Sequence, residues 1–276
     1  MIKIDKFVYC VANGGLNDVL NQIILCYEYC KKHKRLLVVN CGHSKVKEDI
    51  DNFFEFKKNK FIYKKDLDTF FKISEKLTKF PDYKIDEKLK KEIFFDIKKK
   101  YNEDILIFSF SSFKRHYFTH SNDFFKNFEL KEEILNELKN RLLKLPKDYI
   151  SVHIRDTDLE SDVFSFLNNN INNFIDKNIF LSSDNFDTIE FFKNSVKAKI
   201  FTFSNIPKLD KQKSKMGLHR LNFLNKRQII TDSILDLILL SLGKQLYCSC
   251  HHSGFSRNAA VMMKDKNFTS KFSNLE

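Results

Sequence analysis

The sequence predicts an α/β protein made of two successive halves, and three observations predict it. The first 40 residues run strand, glycine turn, helix, strand, which is a βαβ unit and favours a parallel sheet with a right-handed crossover. A second series of alternating strands and helices begins directly after Pro146. The composition of the 276-residue chain is globular: 42% hydrophobic, 30% charged, with 6 Gly and 3 Pro. That is too apolar for disorder and too poor in Gly and Pro for a collagen-like or Pro-rich architecture. At roughly 100–200 residues per domain, the length suits one large domain or two small ones.

The elements follow from local patterning. Ile2–Val11 is rich in β-branched and aromatic residues and reads as a strand ending at the turn Asn13-Gly14-Gly15. From there Leu16, Val19, Leu20, Ile23, Ile24 and Tyr27 fall at helical spacing. Leu36–Val39 is a short buried strand. Residues 44–104 are rich in Lys and Phe, with weaker helical patterns over Leu67–Leu77 and Ile85–Tyr101. Ile105–Phe110 is a strand, and Glu129–Leu145 an amphipathic helix that Pro146 ends. Beyond it come a strand (Tyr149–Ile154), a helix (Val163–Phe174), a strand (Ile179–Leu181) running into Ser182-Ser183-Asp184, a helix (Asp187–Ser195) and a strand (Lys199–Phe203). Residues 204–228 are polar and irregular; Ile229–Leu242 is a helix, Gln245–Cys250 a strand. The stretch 253–258 then reads as a loop leading into a helix over Ala259–Met263. Pro146 is the expected boundary, giving α/β domains over 1–146 and 147–276, and ligands are expected off the carboxyl ends of the strands, in a cleft between the halves.

No apolar run approaches the roughly 18 residues that span a bilayer. The N-terminal stretch carries Asp5 and lacks the apolar region of a signal peptide, so a soluble cytoplasmic protein is expected. The formal net charge of +12 raises an anionic partner: nucleic acid, a membrane surface or a phosphorylated ligand. The 41 Lys against 7 Arg, with 30 Phe and no Trp, have a plainer source in the codon bias of an AT-rich genome. That bias makes each Arg more informative. The phenylalanines fall mainly at helix-period apolar positions rather than between basic residues, which argues against nucleic-acid binding. The 6 cysteines read as reduced, mostly buried thiols, and Cys248-Ser-Cys250-His251-His252 as a strand end rather than a metal site.

Four polar constellations follow predicted strands: Asn13-Gly14-Gly15-Leu16-Asn17-Asp18, His153-Ile-Arg155-Asp156-Thr157-Asp158, Ser182-Ser183-Asp184-Asn185, and Ser249–Arg257. Singly, each has an ordinary reading. A Gly-Gly pair before a helix is a turn, Ser-Asp after a strand is a helix cap, and His153 is a buried histidine with its hydrogen bonds met. Together they suit a diphosphate. Arg155 and Arg257 offer planar forks that match phosphate oxygens. The segment before the last helix would aim backbone N–H groups at an anion, with Ser253 and Ser256 adding hydroxyls. The sequence has neither a Walker A pattern nor G-x-G-x-x-G, so it supports neither a P-loop hydrolase nor a standard dinucleotide enzyme. Asp156-Thr157-Asp158 spells D-x-D, a three-residue match common by chance.

These residues resemble the fucosyltransferase superfamily of GT-B fold, which includes α1,2- and α1,6-fucosyltransferases and protein O-fucosyltransferases. VHIRDTD (152–158) resembles its H-x-R-x-x-D strand end, and FLSSDN (180–185) its strand ending in small residues and Asp. DLILLSLGKQLYCSCHHSGFSRNAA (236–260) resembles its S-x-F-S-x-x-A segment, and GGLNDVLNQ (14–22) its N-terminal glycine loop. The resemblance implies two Rossmann-like halves facing across a cleft, the first on the acceptor side and the second binding a GDP-sugar. It implies an inverting transfer, of fucose, that needs no metal and no cofactor beyond the GDP-sugar co-substrate. Arg155 would contact the β-phosphate, with His153 and Asp158 shaping that site and Asp184 on the nucleotide side. Ser253, Gly254, Phe255, Ser256 and Arg257 would line the diphosphate pocket. Asn13, Gly14 and Gly15 would approach the donor sugar. Two departures stand out: Asp156 replaces a second Arg, and Gly254 separates Ser253 from the Phe-Ser pair.

Sugar transfer develops negative charge on the departing diphosphate, and a preorganised Arg can neutralise it. An acceptor hydroxyl needs a proton acceptor; Asp18 is the first candidate, Glu160 the second, and no dedicated base the third. The expected acceptor is a glycan or lipid-linked glycan of bacterial polysaccharide biosynthesis, met through residues 44–104 and 204–228, whose lysines suit peripheral contact at the inner face of the membrane. The competing classes are a transferase with another nucleotide-linked donor, a silent binding module of the same fold, and a nucleic-acid-binding protein.

Overall fold

Strand β1 (Phe7–Val11) is buried along its whole length, as a strand with both faces covered must be. The computed structural model describes residues 6–55, 67–84, 92–109, 121–159, 161–210, 213, 215–218, 221, 223–250, 252–273 and 275. The chain divides into two units, Met1–Glu129 and Leu130–Glu276.

In the first unit β1 is followed by α1 (Leu16–His33), β2 (Leu36–Asn40), β3 (Phe54–Glu55), α2 (Leu67–Ser74), β4 (Lys79–Phe80), β5 (Ile105–Phe108) and α3 (Ser121–Asn127). Four strands form a parallel sheet in the order β2-β1-β5-β4. The period-2 alternation of β1 divides its side chains between two layers. Phe7, Tyr9 and Val11 pack with Phe70 of α2 and with Ile105 and Ile107 of β5. Cys10 turns the other way, toward Cys26 of α1. Gly14, at φ +86°, makes the turn into α1; a Cβ there would lie 2.4 Å from Asp18 Oδ2, so glycine is required on both counts.

The helical pattern predicted over Ile85–Tyr101 is corrected within its described part, residues 92–101. Ile93 bridges Ser109 instead. Ile93 and Phe95 are each 4% exposed while Phe94 between them is 60% exposed, an extended alternation that the aromatic content disguised as a helix.

The second unit carries β6 (Glu129–Leu130, at the division), α4 (Glu132–Lys144), β7 (Ile150–Ile154), α5 (Val163–Phe174), β8 (Asn178–Ser183), α6 (Phe186–Ser195), β9 (Lys199–Phe201), α7 (Lys226–Leu242), β10 (Leu246–Cys248), α8 (Gly254–Lys264) and α9 (Lys266–Ser273). Its sheet is parallel, in the order β10-β7-β8-β9. Helix α4 precedes Pro146, the boundary expected from the sequence, yet Arg141 ties it to α7 of this unit. Helix α7 is apolar almost all round and correspondingly buried. The loop expected over 253–258 is corrected to helix: α8 begins at Gly254, because Ser253 caps it with its Oγ accepting from Ser256 N.

All six cysteines are free thiols, and Cys10, Cys26, Cys30 and Cys41 are buried. No helix among the described residues is long and apolar enough to cross a membrane.

Candidate functional site

Alternation in β7 and β8 builds the site. Val152 and Ile154 of β7, with Ile179 and Leu181 of β8, enter the core packed against α5 and α6. Ser151, His153 and Arg155 have the opposite parity, as do Ser182 and Asp184 after Phe180. The strands are in parallel register with His153 opposite Ser182, so these polar residues gather at one carboxyl edge. The face is close-packed: a Cβ on Gly243 would fall 2.2 Å from Ser151 Oγ.

A cavity of about 270 Å³ opens at this edge, within the second unit. His153, Arg155, Ser182, Ser183, Asp184 and Phe255 form one side of it. The guanidinium of Arg155 is held by two carboxylates: Nη2 lies 2.5 Å from Asp158 Oδ1 and Nη1 2.6 Å from Asp184 Oδ2. Its planar fork keeps further N–H donors for a ligand. Asp184 is a hub, its Oδ1 also accepting from Asp156 N at 3.0 Å and its Oδ2 from Thr157 Oγ1 at 2.5 Å. Ser249 Oγ accepts from Arg155 N at 3.2 Å, which fixes the backbone where the arginine leaves the strand.

His153 is 4% exposed and its Nδ1 lies 2.6 Å from Ser256 Oγ. Burial, with the Arg155 charge beside it, pushes its pKa down to about 3, so the ring is neutral at pH 7. It packs on Phe255, ring centroids 5.2 Å apart. Ser253 and Ser256 are buried at the start of α8 and are not among the cavity's lining residues; nor are Gly254 and Arg257 in its first two turns.

Asp156 takes no part in a D-x-D pair with Asp158. Its Oδ2 accepts from Thr188 Oγ1 at 2.6 Å and from Asn185 Nδ2 at 3.3 Å, joining the β7 loop to α6. Among the described residues no three His, Cys, Asp or Glu side chains gather as a metal site.

The opposite side of the cavity went unrecognised in the sequence. Asp232 and Asp236, one turn apart on α7, line it, as do Ser204, Asn205 and Gln228. Ser182 Oγ donates to Asp236 Oδ2 at 2.8 Å. Burial raises the Asp236 carboxyl to about 6 against the lowering effects of Ser182 and Arg141. Two carboxylates four apart in the mostly apolar stretch Ile229–Leu242 are the available signal.

The glycine loop belongs to the first unit. Gly15 N donates to Asp18 Oδ2 at 3.0 Å, so Asp18 closes the first turn of α1. Gln22, 2% exposed, braces the loop: its Oε1 accepts from Asn13 N at 3.1 Å and its Nε2 donates to Asn13 O at 2.7 Å. Asn13 Oδ1 accepts from Gly14 N. Glu160 and His251 lie outside the described residues.

No protein-family model and no curated protein matches the chain. Solved structures do. The α-1,6-fucosyltransferase NodZ soaked with GDP-fucose aligns with a TM-score of 0.68 at 16% identity, over 93% of this chain and 92% of that one. NodZ from Bradyrhizobium aligns at 0.67 and 17%, over 93% of each. A variant of Arabidopsis thaliana FUT1 in complex with GDP aligns at 0.54 and 14%, over 93% of this chain and 68% of that one. The chain has their fold. The α/β class and GT-B type expected from the sequence are therefore the fold found, across both units.

Proposed function

We propose that the chain is an inverting, metal-independent glycosyltransferase that moves a sugar, fucose first among candidates, from a GDP-sugar to a glycan acceptor. One observation carries the reading: Arg155 stands on the wall of a cavity at the carboxyl edge of its sheet, braced by Asp158 and Asp184, in a fold whose solved examples include NodZ with GDP-fucose and with GDP.

Transfer breaks the bond between the sugar's anomeric carbon and the diphosphate oxygen, and the leaving GDP takes the electron pair. Arg155 is the cation for that growing charge; its fork donates to two phosphate oxygens at once. Asp158 and Asp184 hold the guanidinium in one plane and so reduce the reorganisation needed at the moment of reaction. Neutral His153 is held through Ser256 to α8, whose N-terminal dipole favours an anion near Phe255, which lines the cavity. Asp156 is engaged with Thr188 and Asn185, which supports an arginine-based rather than a D-x-D-based site. Inversion requires the acceptor oxygen to attack opposite the leaving group and to give up its proton; Asp18 is the proposed acceptor of that proton. A lipid-linked glycan at the inner membrane face is the proposed acceptor class.

The test is a thermal-shift series with GDP, UDP, CMP and single-stranded nucleic acid, because a ligand that binds only the folded state raises its stability by mass action. GDP alone should raise the melting temperature, and GDP-fucose should then support transfer. A larger shift with UDP or CMP reassigns the donor, and a shift with nucleic acid alone removes the transferase reading.

A further inference from the structure

The cavity presents three carboxylates, Asp184, Asp232 and Asp236, and one guanidinium, Arg155. A nucleoside diphosphate is an anion, and that balance would repel it. A further positive charge, offsetting part of that balance, lies behind the wall. Arg141 on α4 is 3% exposed and does not line the cavity. Its Nη2 donates to Asp232 Oδ1, its Nη1 lies 3.5 Å from Asp236 Oδ1, and its Nε donates to Glu137 Oε1 at 2.9 Å. Its guanidinium carbon sits 5.8 Å from the centre of the Phe203 ring.

We propose that Arg141 is a positioning residue for the nucleotide: it fixes Asp232 and Asp236 and offsets one of their two negative charges, so that this cavity admits an anionic ligand. The inference rests on the nucleotide reading above. Without Arg141, two carboxylates one turn apart would share a buried surface with no cation between them. The charged groups around them are Glu137 on α4, His153 on β7, neutral at pH 7, and the Arg155–Asp184 pair past the ends of β7 and β8; none of these replaces Arg141. At higher pH Asp236 would stay charged and oppose the diphosphate. At lower pH Asp236, whose carboxyl burial raises to about 6, would take up a proton and relieve it.

Calorimetric titration of the full chain with GDP and with neutral guanosine tests this. Arg141→Met should weaken GDP binding by about tenfold or more at pH 8 while changing guanosine by about threefold or less. The GDP deficit relative to wild type should shrink at pH 5.5. Arg141→Lys should recover most of the affinity, and Arg141→Met with Asp232→Asn, which removes one negative charge with the positive one, should recover it too. Equal losses for GDP and guanosine, or a GDP loss that neither Asp232→Asn nor acid relieves, would reduce Arg141 to a fold contact. Where Arg141→Met does not fold, the Lys and double variants decide: failure of either to bind GDP within about threefold of wild type overturns the proposal. A wild-type chain that binds no GDP removes the nucleotide reading and this inference with it, an outcome distinct from any variant defect.

Discussion

Arg35 in the first unit and Arg141 in the second are both buried, and opposite kinds of partner hold them. Arg35 follows α1 and reaches carbonyl oxygens only: Tyr101 at 2.7 Å, Glu103 at 2.9 Å, Phe7 at 3.3 Å and Asp104 at 3.4 Å. These lie where β1 and β5 begin, at the amino edge of the sheet. Arg141 meets carboxylates from two helices, two of which line a cavity. Burial lowers the pKa of Arg35; the pairs to Asp232 and Glu137 outweigh burial at Arg141 and raise it. An arginine among carbonyls clasps strand ends, whereas an arginine among carboxylates sets the charge of a site. Scarcity of arginine in this lysine-rich chain therefore does not by itself mark function: Arg35 is as scarce as Arg155 and does different work.

The sharpest break of this comparison is at the site itself. Arg155→Ala should lower turnover by about 10²-fold or more with little change in melting temperature, and Arg155→Lys should not restore it, since Lys lacks the planar fork. Near-normal turnover in Arg155→Ala would move the chemistry elsewhere. The first unit has one residue proposed for a comparable effect. Asp18→Asn keeps a side-chain oxygen for Gly15 N but cannot take a proton, so turnover should fall by about 10²-fold at unchanged stability; full activity would leave Asp18 as a helix cap alone.

Arg35→Met should act in the reverse manner. Stranding buried carbonyls should cost about 2–4 kcal/mol in denaturant unfolding, while turnover per folded molecule stays the same. Altered kcat/KM in folded Arg35→Met would erase the distinction drawn above.

A smaller effect sets two buried groups of the second unit apart by pH. His153 binds a proton near 6.5 when unfolded and only near about 3 when folded. The unfolded state then binds more protons between those values, so His153 lowers stability as pH falls below 6.5. Asp236 is the reverse: its folded carboxyl titrates near about 6 against 3.8 unfolded, so its contribution declines as pH rises through that range. Melts from pH 4 to 7 should show His153→Gln losing less stability on acidification than wild type, and Asp236→Asn losing more. Parallel curves for all three would contradict both assignments. The smallest expected effect is none: EDTA should leave turnover intact. Loss with EDTA and rescue by Mn²⁺ would instead draw Asp156 away from Thr188 and into metal binding.

The strand ends were legible because β-alternation and burial act over a few neighbouring residues. VHIRD and FLSSD state their own parity, and the polar residues at their ends had to gather at one edge once the strands were parallel. The pairing of Arg141 with Asp232 and Asp236 is hidden in the sequence because it spans 91 and 95 residues, and nothing local in α4 distinguishes a buried arginine from a solvated one. The start of α8 reads as a loop in the sequence because Ser, Arg and Asn in a first turn resemble one, whereas Ser253 caps a helix there. The segment around Phe94 reads as a helix in the sequence because its aromatics suggest a helix face, whereas in the structure they alternate in and out.

The register of β7 on β8 also bears on heredity. Substitutions along these strands change one side chain at a time, and at the half-buried first position of each strand the neighbours can absorb them. A single-codon deletion within Ile150–Ile154 cannot be absorbed in that way, because every residue beyond it changes face. In a library of one-codon deletions and substitutions, β7 should accept many substitutions at Ile150 and no deletion at all, whereas residues 208–210, past the cavity wall, should accept both. Change in this part of the gene is thus expected to proceed by point replacement, with length changes confined to the connections.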